Sequence, residues 1–172
     1  ISVFGSKPGI GTTHIAIALA STLTANGYPA VYTERNGNNH LRSMLQEHPA
    51  VKEQNGICYY KYFRGIPDYG QGIEPPDSGD AIYVKDFGVY QKDIIELGPE
   101  NFNLFILSGS PWDLAQTIST GLELSRLGNT AFICNYNNQS SAKKLAGKLG
   151  CKVYCFPFDG DAFTCTETKT DL

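Results

Sequence analysis

Gly5-Ser6-Lys7-Pro8-Gly9-Ile10-Gly11-Thr12-Thr13 is the stretch that decides how the rest of this chain is read. The short apolar run Ile1 to Phe4 precedes it, and a helix-like run, Ile15-Ala16-Ile17-Ala18-Leu19-Ala20, follows. A strand, a glycine-rich turn and a helix N-terminus make the layout of a phosphate-binding loop. Glycines let the backbone approach a polyanion, the amides point inward, and the helix dipole favours negative charge there. The usual pattern is G-x-x-x-x-G-K-[ST]. Gly5 and Gly11 keep its spacing and Thr13 fits its last position, but Thr12 stands where the phosphate lysine belongs. A glycine-rich strand-to-helix turn that binds nothing is the alternative reading.

The chain around this loop has 172 residues, enough for one domain with a sizeable core. At 41% hydrophobic and 18% charged it has the composition of an ordinary globular protein. A net charge of -3 gives no general attraction to nucleic acid or anionic membrane. No apolar run approaches the ~20 residues needed to span a bilayer. Five cysteines, Cys58, Cys134, Cys151, Cys155 and Cys165, show no C-x-x-C spacing. Structural free thiols in a reducing cytosol are the expectation, ahead of a metal site. Because Ile1 already lies in an expected strand, the chain is expected to be a fragment of a longer protein, with a domain over residues 1–163 and a polar tail over 164–172.

Downstream, helical spacing runs from Ile15 to Leu23 and stops at Asn26-Gly27. Ala30 to Thr33 reads as a strand that ends in the polar loop Glu34-Arg35-Asn36-Gly37-Asn38-Asn39, at the end where open α/β sheets place ligands. A plain solvated turn is the alternative there. Leu41 to Leu45 reads as a short helix. Ile57 to Arg64 reads as one aromatic strand and residues 65 to 80 as a loop. Buried sheet aromatics are a better account of that strand than a stacking surface for single-stranded nucleic acid.

Ala81 to Gly88 is an apolar run ending in Asp86-Phe87-Gly88. A strand-end carboxylate paired with the hydroxyl of Thr13 suits Mg²⁺ between two phosphates, because hard cations take oxygen ligands. Further strands run from Phe102 to Leu107, Asn129 to Asn135 and Lys152 to Phe156, with helices from Leu114 to Leu127 and Ser141 to Leu149 between them. Alternating strands and helices predict an α/β fold, a mainly parallel sheet with helices on both faces.

The loop Lys7-Pro8-Gly9-Ile10-Gly11-Thr12-Thr13 resembles the K-G-G-x-G-K-T loop of the ParA/MinD-type ATPases, often called deviant Walker A. It keeps the early lysine and departs at the second. The resemblance spans residues 1 to 163 and implies a P-loop NTPase of the SIMIBI/MinD-like kind. It implies that Lys7, Pro8, Gly9, Ile10, Gly11, Thr12 and Thr13 hold the phosphates of ATP or ADP. Thr13 and Asp86 are then the Mg²⁺ residues. Lys7 reaches across a dimer to the partner's nucleotide, and Glu34, in the place of the family's acidic D-x-D, helps order the attacking water. Asn135 corresponds to the asparagine that reads the base, although it also suits a simple turn start. Pro157 and Phe158 fall in the segment that lines the base pocket.

Within the family, the degenerate loop and short domain look most like the ATPase-like domain of TadZ/CpaE pilus-localisation proteins. The resemblance implies a cytoplasmic bacterial homodimer, placed at a cell pole or membrane through partners such as pilus or secretion assembly proteins. The expected function is a nucleotide-dependent localisation or assembly factor with weak or no hydrolysis. An active ATPase and a nucleotide-free scaffold are the alternatives.

Overall fold

The computed structural model describes residues 1–68, 79–92, 101–135, 139–156 and 160–163. Among them are nine strands and four α-helices, divided between two compact units. One unit comprises Ile1–Thr12 and Gly88–Gly160, the other Thr13–Phe87 and Asp161–Leu172.

In the first unit, β1 (Ser2–Gly5), β7 (Asn103–Leu107), β8 (Thr130–Asn135) and β9 (Val153–Phe156) lie side by side in that order, all parallel. β1 and β7 are buried along their whole lengths, as continuous apolar runs in parallel sheets require. Phe4, Tyr90, Phe105 and Phe132 continue the core as a series of edge-to-face rings. The helix α3 (Leu114–Leu124), extended by a 3₁₀ turn at Ser125–Leu127, packs against α4 (Gln139–Leu149). Ala142, Leu145 and Leu149 form the buried stripe of α4. Gly121 admits this close approach, since a Cβ there would lie 2.8 Å from Leu149.

The second unit carries nearly all of α1 (Thr12–Ala25), which turns out of helix at Asn26-Gly27 as its sequence predicts. β2 (Ala30–Glu34) is fully buried and runs parallel to both β5 (Phe63–Ile66) and β6 (Ile82–Val89). A short helix, α2 (His40–Glu47), buries Leu41. Val31, Ile57 and Ile66 form a packed cluster with Ala81 and Tyr83 against it.

Three expectations need correction. The aromatic run Ile57 to Arg64 is not one strand: β4 (Ile57–Tyr60) turns back through Lys61-Tyr62 into β5, antiparallel. Lys61 takes the left-handed backbone (φ 51) that a two-residue hairpin turn demands. A further strand, β3 (Lys52–Gln54), pairs antiparallel with β4 through Asn55-Gly56, both at positive φ. The expected loop therefore begins after Ile66, and its residues 69–78 lie outside the described ones. Finally, Glu34 does not open a polar loop but ends β2, fully buried. Among the described residues, no helix is long and apolar enough to cross a membrane.

Candidate nucleotide and metal site

Two clusters of contacts, one inside each unit, carry the residues singled out by sequence. In the first unit the loop leaves β1 at Gly5, where a side chain has no room. A Cβ there would stand 2.2 Å from Thr12 Oγ1 and 2.7 Å from Ile10 Cγ2. Gly11 holds φ 88, a conformation that costs glycine little and other residues more. Ser6 N–H donates to Ile106 O of β7, and Ile10 is buried beneath the loop, whereas Pro8 and Gly9 face solvent. Asn135, at the end of β8, donates its Nδ2–H to Ile10 O at 2.8 Å in a buried contact. The residue expected to read a base here supports the loop backbone.

Lys7 Nζ lies 2.5 Å from Asp113 Oδ2, a half-buried ion pair within the first unit. Ser108 Oγ donates to the same oxygen at 2.7 Å. The Lys7 hydrogen bond, followed by that of Ser108, holds the Asp113 carboxyl below its ordinary range. Sequence reasoning had passed over Asp113. Its position, after a strand and directly before α3, is a weak signal because aspartate there usually only begins a helix.

In the second unit three neutral donors converge on Asp86 Oδ2. Thr13 Oγ1 donates at 2.7 Å, Asn36 Nδ2 at 2.8 Å and the Tyr32 hydroxyl at 2.9 Å. Asp86 is fully buried in β6, and its neighbour Glu34 is paired with it in the parallel register of β2. Burial first, then the charges of Asp86 and Glu34, push the Tyr32 phenol far above its ordinary value of 10.0, so it stays a neutral donor. Glu34 accepts the His40 N–H on Oε1 at 2.6 Å, at the start of α2. Its Oε2 is buried and has no hydrogen-bond partner among the described residues. Tyr32 was missed because a strand tyrosine reads as core until its hydroxyl is located. Pro157 and Phe158 lie outside the described residues.

No protein-family model matches this chain, and no curated protein matches it. Solved structures do. A chain of the MinC:MinD cell division protein complex of Aquifex aeolicus superposes with a TM-score of 0.65 at 13% identity, covering 92% of this chain and 81% of that one. A ParA family ATPase from Chlorobium tepidum TLS gives 0.58 at 14%, covering 92% and 83%. The fold is that of the MinD and ParA ATPases.

The donors present in the second unit fit a magnesium ion. The Thr13 hydroxyl and Asp86 carboxylate are both hard oxygen donors, and their hydrogen bond brings them within 2.7 Å. Among the described residues no cluster of three or more His, Cys, Asp or Glu side chains offers another metal site. Such an ion keeps several waters and neutralises phosphate charge when bound.

Proposed function

We propose that this chain is a nucleotide-binding protein of the ParA/MinD kind, a dimerising localisation or assembly factor with weak or no hydrolysis. The observation that carries this reading is the 2.7 Å hydrogen bond from Thr13, in the first turn of α1, to the buried carboxylate of Asp86. A hydroxyl at a helix N-terminus held on a buried strand carboxylate suits Mg²⁺ bound with ATP or ADP. The loop residues Lys7 to Thr13 take the phosphates through backbone amides, and Thr13 and Asp86 take the metal. With threonine at position 12, the loop lacks the cation that neutralises charge on a transferred phosphoryl group. One such donor is worth about 3 kcal/mol, or a hundredfold or more in rate. Ground-state binding outlives that loss better than turnover does.

The likeness to TadZ/CpaE proteins extends this proposal to a homodimer positioned at a cell pole through pilus or secretion partners. Calorimetric titration of the protein with Mg-ATP tests the binding step. Saturable heat below millimolar ligand is expected, and no heat overturns the reading. A scaffold without nucleotide is the second reading, favoured by one observation: Lys7 and Asp86 are both already engaged by protein groups. Absent heat together with an unchanged association state supports it.

A further inference from the structure

The aromatic run from Ile57 to Arg64 divides in the folded chain: Ile57, Cys58 and Phe63 are buried, whereas Tyr59 keeps 36% of its surface exposed. Tyr59 stands in the middle of a cross-strand row. On β4 it is the register partner of Lys52 on β3 and of Arg64 on β5. Directly opposed residues project to the same face of a sheet, with Cβ atoms about 4.5–5.5 Å apart. Cys58 and Gly65, one step along, belong to the other face, where a Cβ at Gly65 would stand 2.8 Å from Leu41 Cδ1 of α2. Glu53 pairs with Cys58, so the acid of β3 also belongs to that other face. Lys52 is exposed and Arg64 half-buried. Among the described residues, the side chains of Lys52, Tyr59 and Arg64 have no hydrogen-bond, ion-pair or ring partner. A lysine on β3, an edge strand of its unit, is ordinarily a guard against edge-to-edge pairing. That role asks nothing of Arg64, on a strand flanked by β4 and β2, and leaves an exposed ring between two unneutralised cations unexplained.

We propose that Lys52, Tyr59 and Arg64 form a binding surface for single-stranded nucleic acid. The Tyr59 ring takes the face of one base, a surface that every unpaired base offers whatever the sequence. Lys52 and Arg64, one strand away on either side, take flanking phosphates, in a row about 10 Å wide across three strands. Charge decides for a polyanion, because the row carries two cations and no carboxylate in a chain whose net charge is -3. The ring decides for an unpaired strand, since the bases of a duplex are already stacked on one another. An acidic peptide would meet the two cations but has no plane to set on the ring. Ile57 and Ile66, the next residues of the same face on β4 and β5, belong to the buried apolar cluster and close the row on one side. The row lies wholly within the second unit and shares no residue with the nucleotide and metal chemistry proposed above.

Fluorescence anisotropy of labelled oligo(dT) titrated with the protein, in the presence and absence of saturating Mg-ATP, tests this surface. Binding that persists under Mg-ATP and weakens with salt is expected. Two phosphate contacts on a single strand predict a slope of about -1.4 in log K against log salt. Tyr59→Ala should weaken binding about 5- to 150-fold and leave that slope unchanged. Lys52→Gln and Arg64→Gln should each reduce its magnitude by about 0.7. Tyr59→Phe keeps the ring and should bind as the wild type does, as should Tyr28→Ala, at an exposed tyrosine outside the row. The wild-type protein should prefer the single strand to a duplex of equal length and to poly(glutamate). That comparison depends on no variant, so a substitution that disturbs folding leaves the test intact. Absent binding, displacement by Mg-ATP, equal affinity for the duplex, a preference for poly(glutamate), or full affinity in folded Tyr59→Ala would each overturn the proposal.

Discussion

Asn36 donates its side-chain amide to the buried carboxylate of Asp86 at 2.8 Å, so a neutral group faces Asp86 where the sequence pattern of the ParA/MinD loop places a second acid. Thr13 and Tyr32 donate to the same oxygen, so three neutral donors meet there. This arrangement makes the metal dependence of binding the most informative property to measure.

Asp86→Asn should weaken Mg-ATP binding more than binding of metal-free ATP, because it removes the anion and leaves the loop amides in place. Titration of both ligands into both proteins reads the difference. Equal losses for the two ligands would mean that Asp86 serves only to fix β6.

Tyr32→Phe deletes one buried hydrogen bond to Asp86 and should cost about 1–2 kcal/mol in urea unfolding. Its pH dependence is more diagnostic. Tyr32 and Cys58 both hold their protons in the folded protein above their ordinary values of 10.0 and 9.0. The unfolded chain releases those protons first, so stability is complete below pH 9.0 and falls as pH rises. Each group adds a slope of up to about 1.4 kcal/mol per pH unit. Cys58 acts between pH 9.0 and about 11, and Tyr32 from pH 10.0 upward. Unfolding midpoints measured across this range should decline less steeply above pH 10.0 in Tyr32→Phe. An unchanged slope would contradict the buried phenol.

The Lys7–Asp113 ion pair must open before Lys7 can reach the nucleotide of a second subunit. Asp113→Asn should therefore favour association with Mg-ATP, and Lys7→Ala should abolish it while leaving the monomer folded. Sedimentation of the three proteins with and without Mg-ATP distinguishes the cases. Identical association states throughout would exclude a lysine acting across the dimer.

Gly5→Ala should destabilise the protein by about 1–3 kcal/mol, since its Cβ would overlap Thr12 Oγ1 and Ile10 Cγ2. Thr12→Lys tests the other side of the loop by restoring the missing phosphate cation, and it should raise ATP hydrolysis in a steady-state phosphate-release assay. Unchanged turnover in a variant that still binds ATP would place the defect elsewhere.

The α/β class and the parallel strands were legible because long buried runs and glycine stops repeat along the chain. Reading Ile57 to Arg64 as one strand failed because its aromatic pattern continues across a turn with no glycine or proline at Lys61-Tyr62. Asn55-Gly56, by contrast, carried a plain hairpin signal for β3 and β4. Thr13 and Asp86 could be paired from sequence because the expected chemistry needs a hydroxyl and a carboxylate. Asn36 fell at the second position of the acidic D-x-D pattern, but its bond to Asp86 was not legible, and Tyr32 and Asp113 could not be placed, since each gains these partners through contacts between segments far apart in sequence. The burial of Glu34 was not legible, because a charged residue followed by Arg35 and Asn36 suggested a polar loop, while its Oε1 accepts the first N–H of α2.

The pairing of β1 with β7 has a consequence for how the chain is made. Val3 and Phe4 leave the ribosome long before their sheet partners, Leu104 and Phe105. Closing so long a loop is entropically costly and slow compared with the adjacent hairpin turns of β3, β4 and β5. The hairpins can therefore form on a nascent chain while β1 still waits with its apolar side chains uncovered. The segment leading into the phosphate loop thus spends synthesis as a binding target for chaperones, and acquires its final shape only after residue 105 has emerged.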